Sequence, residues 1–366
     1  MPPVVHQIVP NFAFADAVGN QILATRDLLT RLGCETQIYA DHWDPRLSDL
    51  VKPTADYLSR QAQEHWLILH YCICGHANHV ARETTGHLVT YYHNVTPARF
   101  FFGYEPAAAA CCGQARRQLK GFVGHGATIA ASDYNRAELE SFGFSVKAVA
   151  PYILKLEHLH AGLNTPGSEA LRARFAAPDL KTWVYVGRIA PNKRVEEVVR
   201  AFHVYHSQIE PRSRLLLVGS RPAGKYSDEI AALIARLDLQ DSVIFPGLFP
   251  AESLGVFYEL ADIYVSLSEH EGFCVPLVEA MSFGVPILAF DSTAVPGTLG
   301  GSGVLLHRKE PQVVAEVAHE VIGNHGLRTA IVGRQRERLT DFEPGAMRAQ
   351  LHKALIAAGI PLQPLD

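Results

Sequence analysis

Short apolar runs bounded by turn residues alternate with segments of helical periodicity along the whole chain, which restricts the fold to parallel sheets covered by helices. In the first half the expected strands are 4–9, 36–40, 66–71, 88–92, 127–131 and 146–149. A helix over 19–32 is stopped by Gly33, and a second over 135–142 follows an Asp133 cap and ends at Gly143. From 152 to 167 the periodicity fades and His, Pro and Gly gather. A second series then gives strands at 183–186, 214–218, 243–245, 263–267, 287–290 and 304–306. Helices are expected between them at 195–207, 227–239, 251–260, 277–283 and 311–322. The chain has 366 residues and is 48% apolar, enough for two cores. The expectation is an α/β chain of two Rossmann-like domains, 1–152 and 168–341, joined by a linker at 153–167, their parallel sheets facing across a cleft where ligands collect.

The stretch Glu269-His270-Glu271-Gly272-Phe273-Cys274-Val275-Pro276-Leu277-Val278-Glu279 carries the strongest chemical signal. It follows an apolar strand, and Pro276 suits a first helical turn, so it reads as strand, tight loop and helix. Glu271 then lies in the loop and Glu279 on the first turns of the helix. The N–H groups of Phe273, Cys274 and Val275 are expected at the positive end of the helix, where a phosphate is attracted. Gly272 lets backbone approach a ligand. Carboxylates beside a phosphate site repel it unless they face donors such as sugar hydroxyls, so the spacing suggests a nucleotide-sugar site. Taken singly, each glutamate could be a helix-start charge complementing the dipole.

This block resembles the Glu-x7-Glu signature of retaining GT-B glycosyltransferases of the large family usually numbered four. The runs Gly187-Arg188-Ile189-Ala190-Pro191-Asn192-Lys193, Leu215 to Ser220 and Val243 to Gly247 are similar to that family too. So are Asp16-Ala17-Val18-Gly19-Asn20, His93-Asn94-Val95-Thr96-Pro97 and Ser132-Asp133-Tyr134-Asn135. The resemblance implies that a sugar is moved from a nucleotide diphosphate, GDP-mannose or a UDP-sugar, to an acceptor hydroxyl in polysaccharide or glycoconjugate assembly. It also implies that a last helix, at 342–366, crosses back onto the first domain. Within the family, the chain resembles bacterial enzymes of polysaccharide or glycoconjugate assembly, many of them mannosyltransferases using GDP-mannose.

Roles follow from the same resemblance. Glu279 would accept from the ribose, and Glu271 would bind donor-sugar hydroxyls. Arg188 and Lys193, five positions apart after a strand, would offset the charge growing on the departing diphosphate. An isolated pair of this kind is otherwise a solvated basic turn, and Arg194 reads as an ordinary surface charge. Gly187, and Gly247, Leu248 and Leu254 around the base, complete the donor side. Gly19 would supply a second phosphate cradle, although the family shows a richer glycine pair there. His93 would touch the donor sugar as a catalytic residue and need not be a general base, since in a front-face retaining mechanism the leaving phosphate accepts the acceptor's proton. Asp16 and Asn94 would lie on the acceptor side, Asp16 with helix capping as its alternative.

The composition excludes other classes. A formal charge of −4 argues against a nucleic-acid partner. No Asp-x-Asp pair is present, so no metal and no cofactor are expected, and the alternating Glu269-His270-Glu271 would face different ways. No Gly-x-Gly-x-x-Gly follows either opening strand, against a nicotinamide enzyme. The six cysteines read as reduced, buried thiols of a cytosolic protein, with zinc a minor alternative. Neither a secretory signal nor a membrane span is visible. The expected partners are the donor and a carbohydrate or lipid-linked acceptor. Phe100 to Tyr104 with Arg116, Arg117 and Lys120 reads as core plus helix surface, or alternatively as contact with the inner face of the cytoplasmic membrane. A catalytically silent nucleotide-sugar binder, or a GT-B epimerase or phosphorylase, is the competing function.

Overall fold

The structure is a computed structural model that describes residues 3–14 and 16–365, without the side chains of Ala251 and Glu252. It divides into two compact units. The first comprises Met1–Phe102, Pro106–Leu154 and the stretch from Asp341 onward; the second comprises Gly103–Glu105 and Lys155–Thr340.

The first unit is built on a seven-stranded parallel sheet: β1 (Val5–Phe12), β2 (Ile38–Trp43), β3 (Val51–Pro53), β4 (Trp66–Tyr71), β5 (His87–Tyr92), β6 (Ala127–Ala130) and β7 (Val146–Val149). The order is β3-β2-β1-β4-β5-β6-β7, so the chain reverses its direction of growth between β1 and β4. The central strands are apolar runs buried on both faces, as helices on either side require. β3 escapes a sequence reading because it is three residues long, lies at the edge and ends in a proline. The helix Pro344–Ala357 belongs to this unit and packs on β7, where Gln350 donates to the Val149 carbonyl at 3.3 Å.

The second unit carries a six-stranded parallel sheet of β8 (Lys181–Val186), β9 (Ser213–Val218), β10 (Val243–Gly247), β11 (Ile263–Ser266), β12 (Ile287–Phe290) and β13 (Val304–Leu306). Its order, β10-β9-β8-β11-β12-β13, puts the reversal between β8 and β11. Trp183 anchors one face, fully buried with its ring 5.7 Å from Phe202 and 5.0 Å from Tyr205. Truncating such a side chain costs about 3–5 kcal/mol.

Three expectations are corrected. The expected linker is helical: Leu156–Ala161 and Pro166–Phe175 both lie in the second unit. The signal was Thr165-Pro166, where Thr165 accepts from the Ser168 N–H at 3.2 Å and Pro166 fills the first helical position. The helix Asp133–Ser141 is capped by Ser132, which accepts from the Asn135 N–H, and Asp133 instead pairs with Arg136. Finally, the cysteines are not all thiols. Cys74, after β4, is bonded to Cys111 in the helix Pro106–Leu119, with Cα atoms 5.5 Å apart. The partners stand 37 residues apart, so only the fold brings them together. Cys34, Cys72, Cys112 and Cys274 are not part of this disulfide.

Candidate functional site

In an open parallel sheet the loops leaving neighbouring strands separate where the strand order reverses, and the crevice there receives ligands. In the second unit this places the turn after β8 beside the loop after β11. Two glycines let the ends of β8 and β9 pack closely: a Cβ on Gly219, whose φ is +138°, would lie 2.1 Å from the Gly187 carbonyl oxygen. Gly187 itself has φ of +152° and donates to the Val218 carbonyl.

Beyond Gly187 the chain makes a single turn at Pro191–Lys193 that is tied to the β11 exit loop. The Glu269 N–H donates to the Asn192 carbonyl at 2.9 Å, and the Asn192 side-chain amide donates to the His270 carbonyl at 3.1 Å. This brings Lys193 Nζ to 2.6 Å from Glu271 Oε2, with only 22% and 8% of the two side chains exposed. Burial opposes the ammonium, but the Glu271 carboxylate outweighs it and holds the Lys193 pKa above the ordinary lysine value. The Glu271 N–H donates to Thr293 Oγ1 at 2.8 Å, fixing the loop from the far side. Glu269 turns the other way, to Arg194 at 2.9 Å and Lys309 at 2.6 Å, so Glu269 and Glu271 do face apart and Arg194 is held in ion pairs. Among the described residues no cluster of three or more His, Cys, Asp or Glu could hold a metal ion.

The helix Val275–Ser282 starts behind Cys274, which sits in the left-handed region at φ +72°. Burial, aided by Glu271, pushes the Cys274 thiol far above its usual range, so it is an uncharged group. Phe273 is buried, and its carbonyl accepts from Thr298. Glu279 is half-buried one turn into the helix and accepts from the Tyr258 hydroxyl at 2.7 Å. Burial raises its pKa above the usual carboxylate value against the pull of that hydrogen bond. Arg188 is less committed: its guanidinium pairs with Glu105 at 2.9 Å with about half of the side chain exposed. Gly247 ends β10 at φ +110° with open space where a side chain would stand, next to exposed Leu248, while Leu254 packs into the core. The second unit thus gathers Lys193, Glu271, Cys274 and Glu279 around one strand-loop-helix. Tyr258, Thr293 and Glu105 were missed, since each reaches the site only through the fold, and Asn192, though beside Lys193, gave no sign of its bond to the His270 carbonyl.

The first unit treats its candidates differently. Asp16 caps the helix Ala17–Arg31, accepting from the Gly19 N–H. That bond corrects the expected phosphate cradle, because the amide of Gly19 is already occupied by a carboxylate. The glycine is needed instead for packing, since a Cβ there would lie 2.1 Å from the Ala13 carbonyl oxygen. Although Asp16 is exposed as a residue, desolvation of its carboxyl pushes the pKa up to about 6 against N–H groups of Gly19 and Val18.

Asn94, at φ +86°, turns its side chain inward and donates to Asn135 at 2.7 Å, away from an acceptor role. It joins a network in which Arg116 pairs with Glu138 at 2.7 Å and Tyr92 donates to the same carboxylate at 2.6 Å. Phe100 and Phe101 are buried and Phe102 exposed, so the aromatic run is mostly core. No helix among the described residues is long and apolar enough to cross a membrane. His93 follows β5, is buried, and lies 2.9 Å from His70.

Comparison with known proteins points the same way. Residues 168–339, inside the second unit, match the family described as glycosyl transferases group 1. A D-inositol 3-phosphate glycosyltransferase of Kineococcus radiotolerans is 31% identical over 197 residues, half of this chain and 45% of that protein. The O-antigen chain mannosyltransferase B of Escherichia coli is 30% identical over 122 residues, 33% of this chain and 32% of that one. Each match therefore spans less than half of the relative's length. Among solved structures, Anabaena HepE in complex with UDP and glucose superposes with a TM-score of 0.75 over 96% of this chain and 99% of its own, at 17% identity. A sucrose-phosphate synthase from Thermosynechococcus elongatus gives 0.74 over 97% and 100%, at 20% identity.

Proposed function

We propose that the chain transfers a sugar from a nucleotide diphosphate to an acceptor hydroxyl with retention at the anomeric carbon; the match of residues 168–339 to the glycosyl transferases of group 1 and the GT-B fold support this reading. The observation that carries this reading is the buried Lys193–Glu271 pair, with Glu279 eight residues further along on the following helix, at the point where the sheet order reverses. An ammonium and a carboxylate locked together suit a donor whose two halves have opposite demands. Lys193 and Arg188 stabilise the charge growing on the leaving diphosphate, while Glu271 holds the hydroxyls of a sugar that becomes positive in the transition state. Glu279 accepts from the ribose, and Gly187, Gly247, Leu248, Gly272, Phe273 and Val275 line the donor's path.

The leaving phosphate is the acceptor's base in this scheme, so no step requires a metal or an ionisable histidine. His93 is neutral and serves as a contact of the donor sugar. GDP-mannose and UDP-sugars are the donors to try first, since the name of the Escherichia coli relative specifies mannosyl transfer and HepE was solved with UDP. A carbohydrate or lipid-linked carbohydrate made in the cytoplasm is the corresponding acceptor. Incubation with each donor and a chelator, with the product's anomeric configuration read by NMR, tests the scheme. Turnover that needs added manganese, or a product of inverted configuration, would contradict it.

A further inference from the structure

Along three neighbouring strands of the first unit, three buried polar residues touch in a row. Gln7 of β1 and His70 of β4 are fully buried, and His93 lies just beyond β5. Gln7 Oε1 is 2.9 Å from His70 Nε2, and His70 Nδ1 is 2.9 Å from His93 Nε2. The two imidazoles lie nearly parallel, with ring centres 5.1 Å apart, and Tyr91 and Tyr152 pack against His93 at 4.3 and 5.4 Å. Burial drives the His70 pKa down to about 3 and that of His93 well below its usual value, so both rings are neutral at ordinary pH.

Neutrality makes the row directional. A neutral imidazole has one donor and one acceptor. If the Gln7 carbonyl accepts, His70 carries its proton on Nε2 and offers Nδ1; His93 must then carry its proton on Nε2, leaving Nδ1 as a lone pair. That Nδ1 is buried and has no partner among the described residues, as is Nε2 of the Gln7 amide. We propose that Gln7 and His70 are positioning residues that fix His93 as the Nε2–H tautomer and present its Nδ1 as an acceptor for a donor-sugar hydroxyl. The inference rests on the reading of His93 as a sugar contact, and it adds residues 86 and 23 positions upstream that no local motif around His93 would reveal.

The test is nitrogen-15 NMR of the histidine rings in the full chain, beside kinetics of the same proteins. In the native protein His93 should show a protonated Nε2 and a bare Nδ1, with neither ring titrating between pH 5 and 8. A proton on His93 Nδ1 would overturn the proposal, and this measurement needs no variant. Gln7→Met keeps the size but removes the acceptor, so His93 should become a mixture of tautomers. Loss of one hydrogen bond's worth of alignment should lower kcat/KM about tenfold while nucleoside diphosphate affinity stays unchanged. A single retained tautomer, or a mixed tautomer with unchanged turnover, would overturn the positioning role. Full turnover in His93→Ala would instead remove His93 from the donor site, a failure of the parent reading that leaves the tautomer result intact.

Discussion

Lys193 Nζ and Glu271 Oε2 lie 2.6 Å apart, joined by a strand-end turn and a strand-exit loop that are 78 residues distant in sequence. Breaking one member of a buried pair strands the other, so each half needs its own control. Lys193→Ala should lower kcat by roughly 10²- to 10³-fold, the loss of one anion-stabilising group. Glu271→Gln should keep nucleoside diphosphate affinity and lose turnover. Calorimetry with the diphosphate and kinetics with the full donor would read both; equal turnover in all three proteins would displace the diphosphate from this site.

Glu279 yields a prediction whose sign depends on pH. A carboxyl group whose folded pKa is raised stabilises the fold below its unfolded value and loses that contribution as pH rises through the folded one. Glu279 is such a group, so it weighs against the fold at neutral pH. Glu279→Gln, which still accepts from Tyr258, should raise Tm at pH 7, and the difference should fade as pH falls toward the ordinary value of 4.5. The same change should weaken nucleoside diphosphate binding by roughly 1.5–3 kcal/mol, a charge-assisted bond to ribose. A lower Tm at pH 7 with unchanged affinity would show that the carboxylate is structural.

Glu105 competes for Arg188. Their ion pair is partly exposed, so its strength is at most about 1 kcal/mol. Glu105→Gln should therefore tighten nucleoside diphosphate binding by no more than about fivefold, and the gain should vanish in Arg188→Ala. Weaker binding in Glu105→Gln would mean that the glutamate supports the donor rather than excluding it.

The Cys74–Cys111 bond closes a loop of 37 residues in the first unit. Cross-links of this kind contribute roughly 2–4 kcal/mol. Mild reduction, or Cys111→Ser, should lower Tm by several degrees. An unchanged Tm, or two free thiols found by titration at these positions under native conditions, would argue that the bond does not form.

Most of the fold was legible because strands such as Trp66–Tyr71, Ile287–Phe290 and Val304–Leu306 are bounded apolar runs. The helices that replaced the expected linker were not, because their start signal, Thr165-Pro166, sits in a stretch rich in loop-forming residues. At the site, Glu271, Lys193 and Glu279 could be found from spacing on either side of two strands. Tyr258 and the Gln7–His70 row could not, since their partners are set by strand order and burial rather than by any local pattern. Gly19 shows the limit of reading a loop glycine as a phosphate cradle: the same residue type serves close packing beneath an aspartate cap.

On the proposed function, the Lys193, Glu271 and Glu279 constellation turns over a nucleotide sugar. Release of nucleoside diphosphate should be followed across a panel of UDP-, GDP-, ADP-, TDP- and CDP-sugars, with the native chain beside Lys193→Ala. One donor should be consumed by the native protein, and the release should fall at least roughly a hundredfold in the variant. A donor that binds the native protein and is never cleaved, with any acceptor offered, would contradict that function and make the chain a binder.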